Sequence, residues 1–315
     1  MVIDYVVPES YKDRVFNGRW FFDCAVIDRA NVCFIMFDEG SVDSGKRAFG
    51  SIRFGEAANL HARKYSGFAF PIIGVAPNLG KTAFMLGQVS GVAVTGDAGD
   101  GILPNIPESA EGPLSTGPDA AATIDGKLYV CAGWRHVCYL DDDQRWVSIR
   151  NNLTDPPKNR VMDFGFSAIS GFHANDIYAA GGRGDVWRFD GDRWHQCQTS
   201  TNMLIESICC AGDGFVYIGL QSGGLMRGRE DEWEVIHQDN MSVPFKDIVW
   251  YQDKVWCTSE YGLWTVAKDG KLVDADVPPL ASACAGNLST ADGILMVAGL
   301  HGAALHDGNE WHRLV

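Results

Sequence analysis

A tryptophan returns at Trp194, Trp233 and Trp311, with Leu272 at the intervening place, so one position recurs at three successive intervals of 39 residues. The aromatic of a preceding apolar run keeps step at Tyr178, Tyr217 and Trp256. The glycine that closes the next turn keeps step at Gly184, Gly223 and Gly262 and, after one inserted residue, at Gly302. Each unit, best seen in Ile177–Trp194 (IYAAGGRGDVWRFDGDRW), reads as an apolar run, a Gly-containing turn, a second apolar run, an acidic Asp-Gly turn and the tryptophan. A fixed period near 40 filled with β-type segments marks a propeller blade, a unit that cannot bury its faces alone and must stack on its neighbours. The expected fold is therefore all-β: a single β-propeller domain over residues 1–315, with seven four-stranded blades and little or no helix. Six blades is the alternative if the first 60 residues form something else.

Taken in order, the expected blades fall near residues 15–60, 66–103, 120–150, 164–197, 204–237, 245–274 and 281–315. Val2–Val7 reads as a strand, and Trp20–Val26, Val32–Phe37 and Arg47–Phe54 as the strands of a divergent first blade. Phe70–Val75, Thr82–Leu86 and Val92–Thr95 belong to the second, whose end is obscured by Pro104–Pro118, read as an exposed loop. Asn151–Asp163 is an insertion that stretches the interval between Trp146 and Trp194 to 48 residues.

Composition narrows the class of function. A chain of 315 residues with 46% apolar and 21% charged residues has the make-up of a globular protein with a sizeable core. The opening MVIDYVVPESYKDR lacks the order of a secretory leader, and no 18-residue apolar run is present, so the expectation is a soluble, cytoplasmic, bacterial protein with no membrane partner. The formal charge is −14, but about fifteen of the forty acids fall in tight turns, where Asp bonds nearby amides. An acidic surface repels phosphates, which argues against nucleic acid as a partner.

The loop lengths point to one face. In a four-stranded blade the first and third turns lie on one side, while the second turn and the link to the next blade lie on the other. The first set is short and acidic. The second holds the long or Pro-rich connections: Asp38–Lys46, Pro104–Pro118, Asn151–Asp163, Gln198–Met203, Gln238–Pro244 and Asp274–Leu280. Function on rigid scaffolds concentrates in long loops, so this is the candidate working face. Aligned blades place Trp134, Arg183, Ser222, Tyr261 and His301 at one turn position there, with Arg135, His136, Gln221 and Glu260 beside them and Gln88, Glu39 and Asp43 from the earlier blades. Aromatic and Arg side chains are favoured at binding hot spots, and these twelve residues form the candidate partner-binding set.

Motifs for chemistry are not signalled. GVAPNLGKT at Gly74–Thr82 has five residues between its first glycine and the Gly-Lys pair, where a phosphate-binding loop needs four, and a strand follows instead of a helix. The eight histidines show no metal-ligand spacing, and no G-x-S-x-G elbow appears. No catalytic residue, metal ligand or cofactor is therefore assigned.

The repeats DIYAAGGRGDVWRFDGDRW and FVYIGLQSGGLMRGREDEW resemble those of bacterial β-propellers of the broad BNR/YCF48-like and YVTN class, over residues 120–315 far better than over the first 119. Sialidases in this wider group carry Asp-boxes of the form S-x-D-x-G-x-T-W, and Asp190-Gly191-Asp192-Arg193-Trp194 is a degenerate version. The resemblance implies architecture and no activity. Two functions follow as expectations: a non-enzymatic protein-binding propeller, most concretely an immunity or antitoxin protein that occludes a cognate toxin, a basic toxin domain being the candidate partner; or a sialidase- or lactonase-like hydrolase or lyase with a site at the central channel.

The nine cysteines are odd in number, form no C-x-x-C pair, and mostly lie in expected strands, where free cysteine acts as a small buried apolar residue. All nine thiols should react after denaturation without reductant, and a count of three or fewer would overturn the reduced state.

Overall fold

The computed structural model describes residues 3–40, 45–56, 58–97, 99–157, 163–238, 243–267 and 269–315. It contains seven antiparallel four-stranded sheets, each made of consecutive strands. They comprise β1–β4 (Arg19–Asp28, Asn31–Asp38, Arg47–Arg53, Asn59–Tyr65), β5–β8 (Ile72–Val75, Thr82–Leu86, Val92–Gly96, Gly101–Leu103) and β9–β12 (Pro118–Ile124, Lys127–Ala132, His136–Leu140, Trp146–Ser148). Then follow β13–β16 (Ala168–His173, Asp176–Gly181, Asp185–Phe189, Trp194–Gln196) and β17–β20 (Ile205–Cys210, Val216–Leu220, Leu225–Arg229, Glu232–His237). The last two are β21–β24 (Asp247–Tyr251, Lys254–Ser259, Gly262–Val266, Leu272–Asp274) and β25–β28 (Gly286–Ala291, Ile294–Gly299, Gly302–His306, Trp311–Arg313). The first strands touch in the order β1, β5, β9, β13, β17, β21, β25 and back to β1, so they line the centre of a closed ring. The chain is a seven-bladed β-propeller.

The sequence pattern explains the stacking. Each blade packs on two neighbours, so its middle strands are covered on both faces and read as unbroken apolar runs instead of alternating ones. The second strands β6, β14, β18 and β26 are buried throughout. Several outermost strands are short and polar, as β16 (WHQ) and β28 (WHR) show. The recurring tryptophan opens or lies within the outermost strand; Trp194 is buried between Phe166 and Phe189, and its indole N–H donates to the Ile149 carbonyl at 2.7 Å. The inserted segment after β12 guards the exposed edge of β16: the Asn152 side chain both accepts from and donates to the Trp194 backbone, at 2.8 and 2.9 Å.

Side chains at or beside the inner strands bridge every seam between blades. Asp23 accepts from the Ile73 N–H at 2.8 Å, Thr123 donates to the Val75 carbonyl at 2.8 Å, and Asp125 accepts from the Ala174 N–H at 2.7 Å. Ser167 donates to the Ile205 carbonyl at 3.1 Å and Ser207 to the Phe245 carbonyl at 2.8 Å. Asp247 accepts from the Leu288 N–H at 2.8 Å, and Ser289 closes the ring by accepting from the Val26 N–H at 2.9 Å.

Three expectations are corrected. Val2–Val7 forms no strand over its described residues, which contribute a single bridge, Asp4 to Gly55; Tyr5 and Val7 instead plug the apolar core between the first and seventh blades. Tyr5 donates to the Arg29 carbonyl at 2.9 Å and packs against Phe54 and His312. Pro104–Pro118 is no mere exposed loop: Ile106 and Leu114 are fully buried between the second and third blades, and Pro118 begins β9. Phe70 lies outside β5 with a left-handed φ of 42° and is exposed. The outer strand of the first blade, β4, is the polar segment NLHARKY, which carries too few apolar residues to announce itself.

Asp23 has a pH signature. Burial in the channel wall, and then repulsion from Asp247, push its carboxyl up to about 7 against the amide bonds it accepts. A carboxyl raised by folding makes its full contribution below about pH 4, and that contribution is lost as pH rises through about 7. Denaturant melts should therefore show wild type losing stability between these limits relative to Asp23→Asn, by at most about 4 kcal/mol. Parallel profiles for the two proteins would contradict this assignment.

Candidate functional site

The long-connection face is built from the turns between second and third strands and the links between blades. Half of the exposed large apolar residues among those described lie there: Phe70, Val89, Tyr261, Leu280 and Leu300, with Tyr261 78% exposed. Val89, Tyr261 and Leu300 occupy turns where small or polar residues suffice for the chain reversal. Sequence reading singled out Tyr261 but missed the other four, although an apolar residue inside a Gly-bounded turn, as in GQVSG and GLHG, was a signal in plain view.

The twelve expected residues divide by environment. Glu39, Gln88, Arg183, Ser222, Glu260, Tyr261 and His301 are exposed on this face, and Trp134 is half-buried. Glu39 and His301 meet across a groove of about 430 Å³ at the seam of the seventh and first blades, which Arg19, Trp20 and Leu300 also line. Arg183 pairs with Asp163 at 3.2 Å, and the Gln221 side chain accepts from the Leu204 N–H at 3.1 Å, so both partly serve the turns. Asp43 lies outside the described residues.

Arg135 and His136 lie inside the fold. Arg135 grips Asp185 of the next blade through two bonds, 2.8 and 2.9 Å, with its guanidinium over the rings of Phe164 and Trp187. Asp185 also accepts from the Gly165 N–H and the Trp187 indole N–H, so its lone pairs are filled. The pair anchors the turn in which Trp134 and Arg135 both adopt left-handed φ, 61° and 60°, a costly conformation for bulky residues. His136 is buried, and burial followed by the Arg150 charge lowers its pKa. Neither residue presents its side chain to a partner in this arrangement.

At the centre of the same face, three inner strands bulge near their starts, where one extra residue opposes none on the second strand. These residues are Phe22 between Phe21 and Asp23, Asp119 between Pro118 and Ala120, and Glu206 between Ile205 and Ser207. Bulges re-aim side chains. Asp119 and Glu206 are exposed, yet burial of part of their surroundings raises both carboxyls, and Asp119 accepts from the Gly133 N–H at 2.8 Å. Asp247 is likewise raised by burial, and the Lys246 charge acts against the rise both there and at Asp23.

On the opposite face, Asp307, Glu310 and His312 place ligand-type atoms within 4.8 Å of one another. The blade turn accounts for this grouping: Asp307 accepts the N–H groups of Asn309 and Glu310 and meets His312 at 3.1 Å. Asp190 repeats the arrangement with Asp192, Arg193 and His195, where the place of Glu310 is taken by an arginine.

Comparisons with known proteins complete the picture. No family model matches the chain. A segment of 193 residues, 61% of the chain, is 35% identical to the immune protein Tsi7 of Pseudomonas aeruginosa, and it spans 62% of that protein's length, short of two thirds. Among solved structures, a streptogramin B lyase matches with TM-score 0.62 at 14% identity, over 91% of this chain and 97% of that one. YCF48 from Cyanidioschyzon merolae matches with TM-score 0.61 at 15% identity, over 92% and 96%. The WD40 propeller domain of Doa1 matches with 0.64 at 10%, over 90% and 95%. At such identities these three show the fold alone. Among the described residues, no helix is long and apolar enough to cross a membrane.

Removing Arg135 leaves a buried carboxylate without its counter-ion, a change that typically costs about 3–5 kcal/mol. Arg135→Met should therefore lower the denaturation midpoint strongly, Arg135→Met/Asp185→Asn, which removes the stranded charge and keeps an acceptor for the Gly165 or Trp187 N–H, should recover part of the loss, and Arg183→Ala on the surface should cost under about 1 kcal/mol.

Proposed function

We propose that this chain is an immunity protein that binds a cognate protein toxin through its long-connection face and occludes it. The observation that carries the reading is the 35% identity to the immune protein Tsi7, a likeness well above the 10 to 15% shared with propellers of other kinds. The surface supports it independently. A protein-binding face needs a few rigid, exposed apolar anchors set among polar groups, and Tyr261, Phe70, Val89 and Leu300 stand on turns held by a stacked scaffold. The partner is a toxin domain with a basic contact surface, and the action is in the cytoplasm. The lyase likeness is one of fold and brings no activity to this chain.

The test is protection. A bacterial strain producing the cognate toxin should grow when the chain is co-produced, and the purified pair should associate. Tyr261→Ala should weaken binding by about 2 kcal/mol, roughly 30-fold, while Asp192→Ala and Asn309→Ala on the opposite face leave affinity within about two-fold. All variants should melt near wild type. Loss of binding in the second pair, with Tyr261→Ala unaffected, would put the contact on the other face.

A further inference from the structure

We propose that the groove between the seventh and first blades, on the long-connection face, seats an extended basic segment of the protein partner, which lays an arginine or lysine along Trp20 and turns its charge to Glu39 and Asp13. The inference rests on the toxin-binding reading and adds where the toxin enters and what chemistry it presents there.

Topology leaves this seam open. On the long-connection face each other pair of neighbouring blades is joined by a connecting segment, whereas β28 and β1 have no such link between them. In its place lies the groove of about 430 Å³, with Lys12–Phe21 and Glu39 on the side of the first blade and Leu300–Gly302 on the side of the seventh. That volume lies within the range of ligand clefts, about 300–1,000 Å³, and exceeds what one ion needs. The wall on the first-blade side is firm: the Glu39 N–H donates to the Gly18 carbonyl at 2.9 Å, and Trp20 stands edge-on to Phe37 with 5.6 Å between ring centroids.

The lining names the occupant. The buried Phe16 and Phe21, the half-buried Trp20 and the exposed Leu300 give it an apolar lining. Its two permanent cations are already engaged, Lys12 with Glu9 at 2.8 Å and Arg19 with Asp38 at 2.9 Å. Arg313, behind the seventh-blade wall, is turned to the carbonyls of His301 and Leu280. The carboxylates of Asp13 and Glu39, which line the same groove, make no hydrogen bond or ion pair among the described residues. The charge left for a partner is therefore negative. An arginine or lysine matches both properties, because its long stem lies on apolar surface while its head meets the acids. Arginine adds the attraction of a guanidinium for an indole face. The formal charge of −14 also speeds the approach of a basic segment.

The probes are acetyl-Arg-Leu-Arg amide and acetyl-Glu-Leu-Glu amide, titrated into the full chain at low salt while the nuclear magnetic resonance signal of the Trp20 indole N–H, assigned with Trp20→Phe, is followed. The basic peptide should shift that signal saturably, and more weakly as salt rises, whereas the acidic peptide should leave it in place. Asp13→Asn/Glu39→Gln should weaken binding about five-fold or more, while Asp192→Asn/Asp253→Asn, an equal charge change on the opposite face, stays within about two-fold. Leu300→Trp, which narrows the groove, should abolish the shift; both groove variants change exposed residues and should melt near wild type. No shift in wild type, equal shifts by the two peptides, or equal losses in the two double variants would overturn the proposal. So would a wild-type dimer that Leu300→Trp dissolves, which would give the groove to a second copy of the chain. In the protection assay, sensitivity to Tyr261→Ala with full tolerance of Leu300→Trp keeps the toxin-binding face and rejects the groove as its seat. Saturable peptide binding without protection keeps the groove and rejects the toxin.

Discussion

An inner propeller strand has a hydrogen-bonded neighbour on one edge only, and its free edge decides whether seven sheets can become a ring. Unpaired backbone groups in a confined space cost free energy and invite foreign strands. Here side chains take the place of the missing ladder. Asp23, Thr123, Asp125, Ser167, Ser207, Asp247 and Ser289 each reach from one blade to a backbone group of the next, so all seven seams are bridged. The closing seam differs in kind from a shared blade, because the first and seventh sheets are each built from one continuous stretch of chain. It is held by Ser289 on the inside, by Asp292 accepting from the Arg29 N–H at 3.0 Å, and by Tyr5 and Val7 laid into the common core.

The consequence for function is a division of labour by height. The middle strands are committed to packing on both faces, as the fully buried β6, β14, β18 and β26 show. What remains adjustable is the set of turns, and the two faces use them differently. Short turns on one side consume their acids internally: Asp190 accepts the N–H groups of Asp192 and Arg193, and Asp307 those of Asn309 and Glu310. The long connections on the other side leave aromatic and aliphatic groups facing outward.

The repeat was legible because the tryptophan, the aromatic and the glycine occupy fixed structural places: outer strand, second strand and following turn. The inner-strand bridges left a trace too. Ser167, Ser207 and Asp247 stand at equal intervals of 40 residues, a polar position within an apolar run that marks the seam once the ring is known. Other features had no local signal. Whether Val2–Val7 pairs as a strand depends on an available sheet edge, which only the assembled ring specifies. Ile106 and Leu114 sit among prolines that look like a loop, and only the space between two blades makes them core. Arg135 reads as a hot spot because arginine in a turn usually faces water; its partner Asp185 lies 50 residues away and comes near only when the blades stack. Phe22, Asp119 and Glu206 escaped notice since a bulge is a property of pairing register, which periodicity alone does not reveal.

The acid count therefore says less than the place of each acid. At the short turns, amide donors and a histidine hold Asp190 well below the usual carboxylate range, and its charge is already spent on holding its own loop. Along the inner ring, burial works in the reverse sense, raising Asp23, Asp119, Glu206 and Asp247 together. Neutralising an acid of the first kind removes a turn's support, while neutralising one of the second relieves a strain that the fold carries. The same residue type thus plays two parts: an acid such as Asp190 holds its own turn, while an acid of the inner ring such as Asp23 stands where burial disfavours its charge.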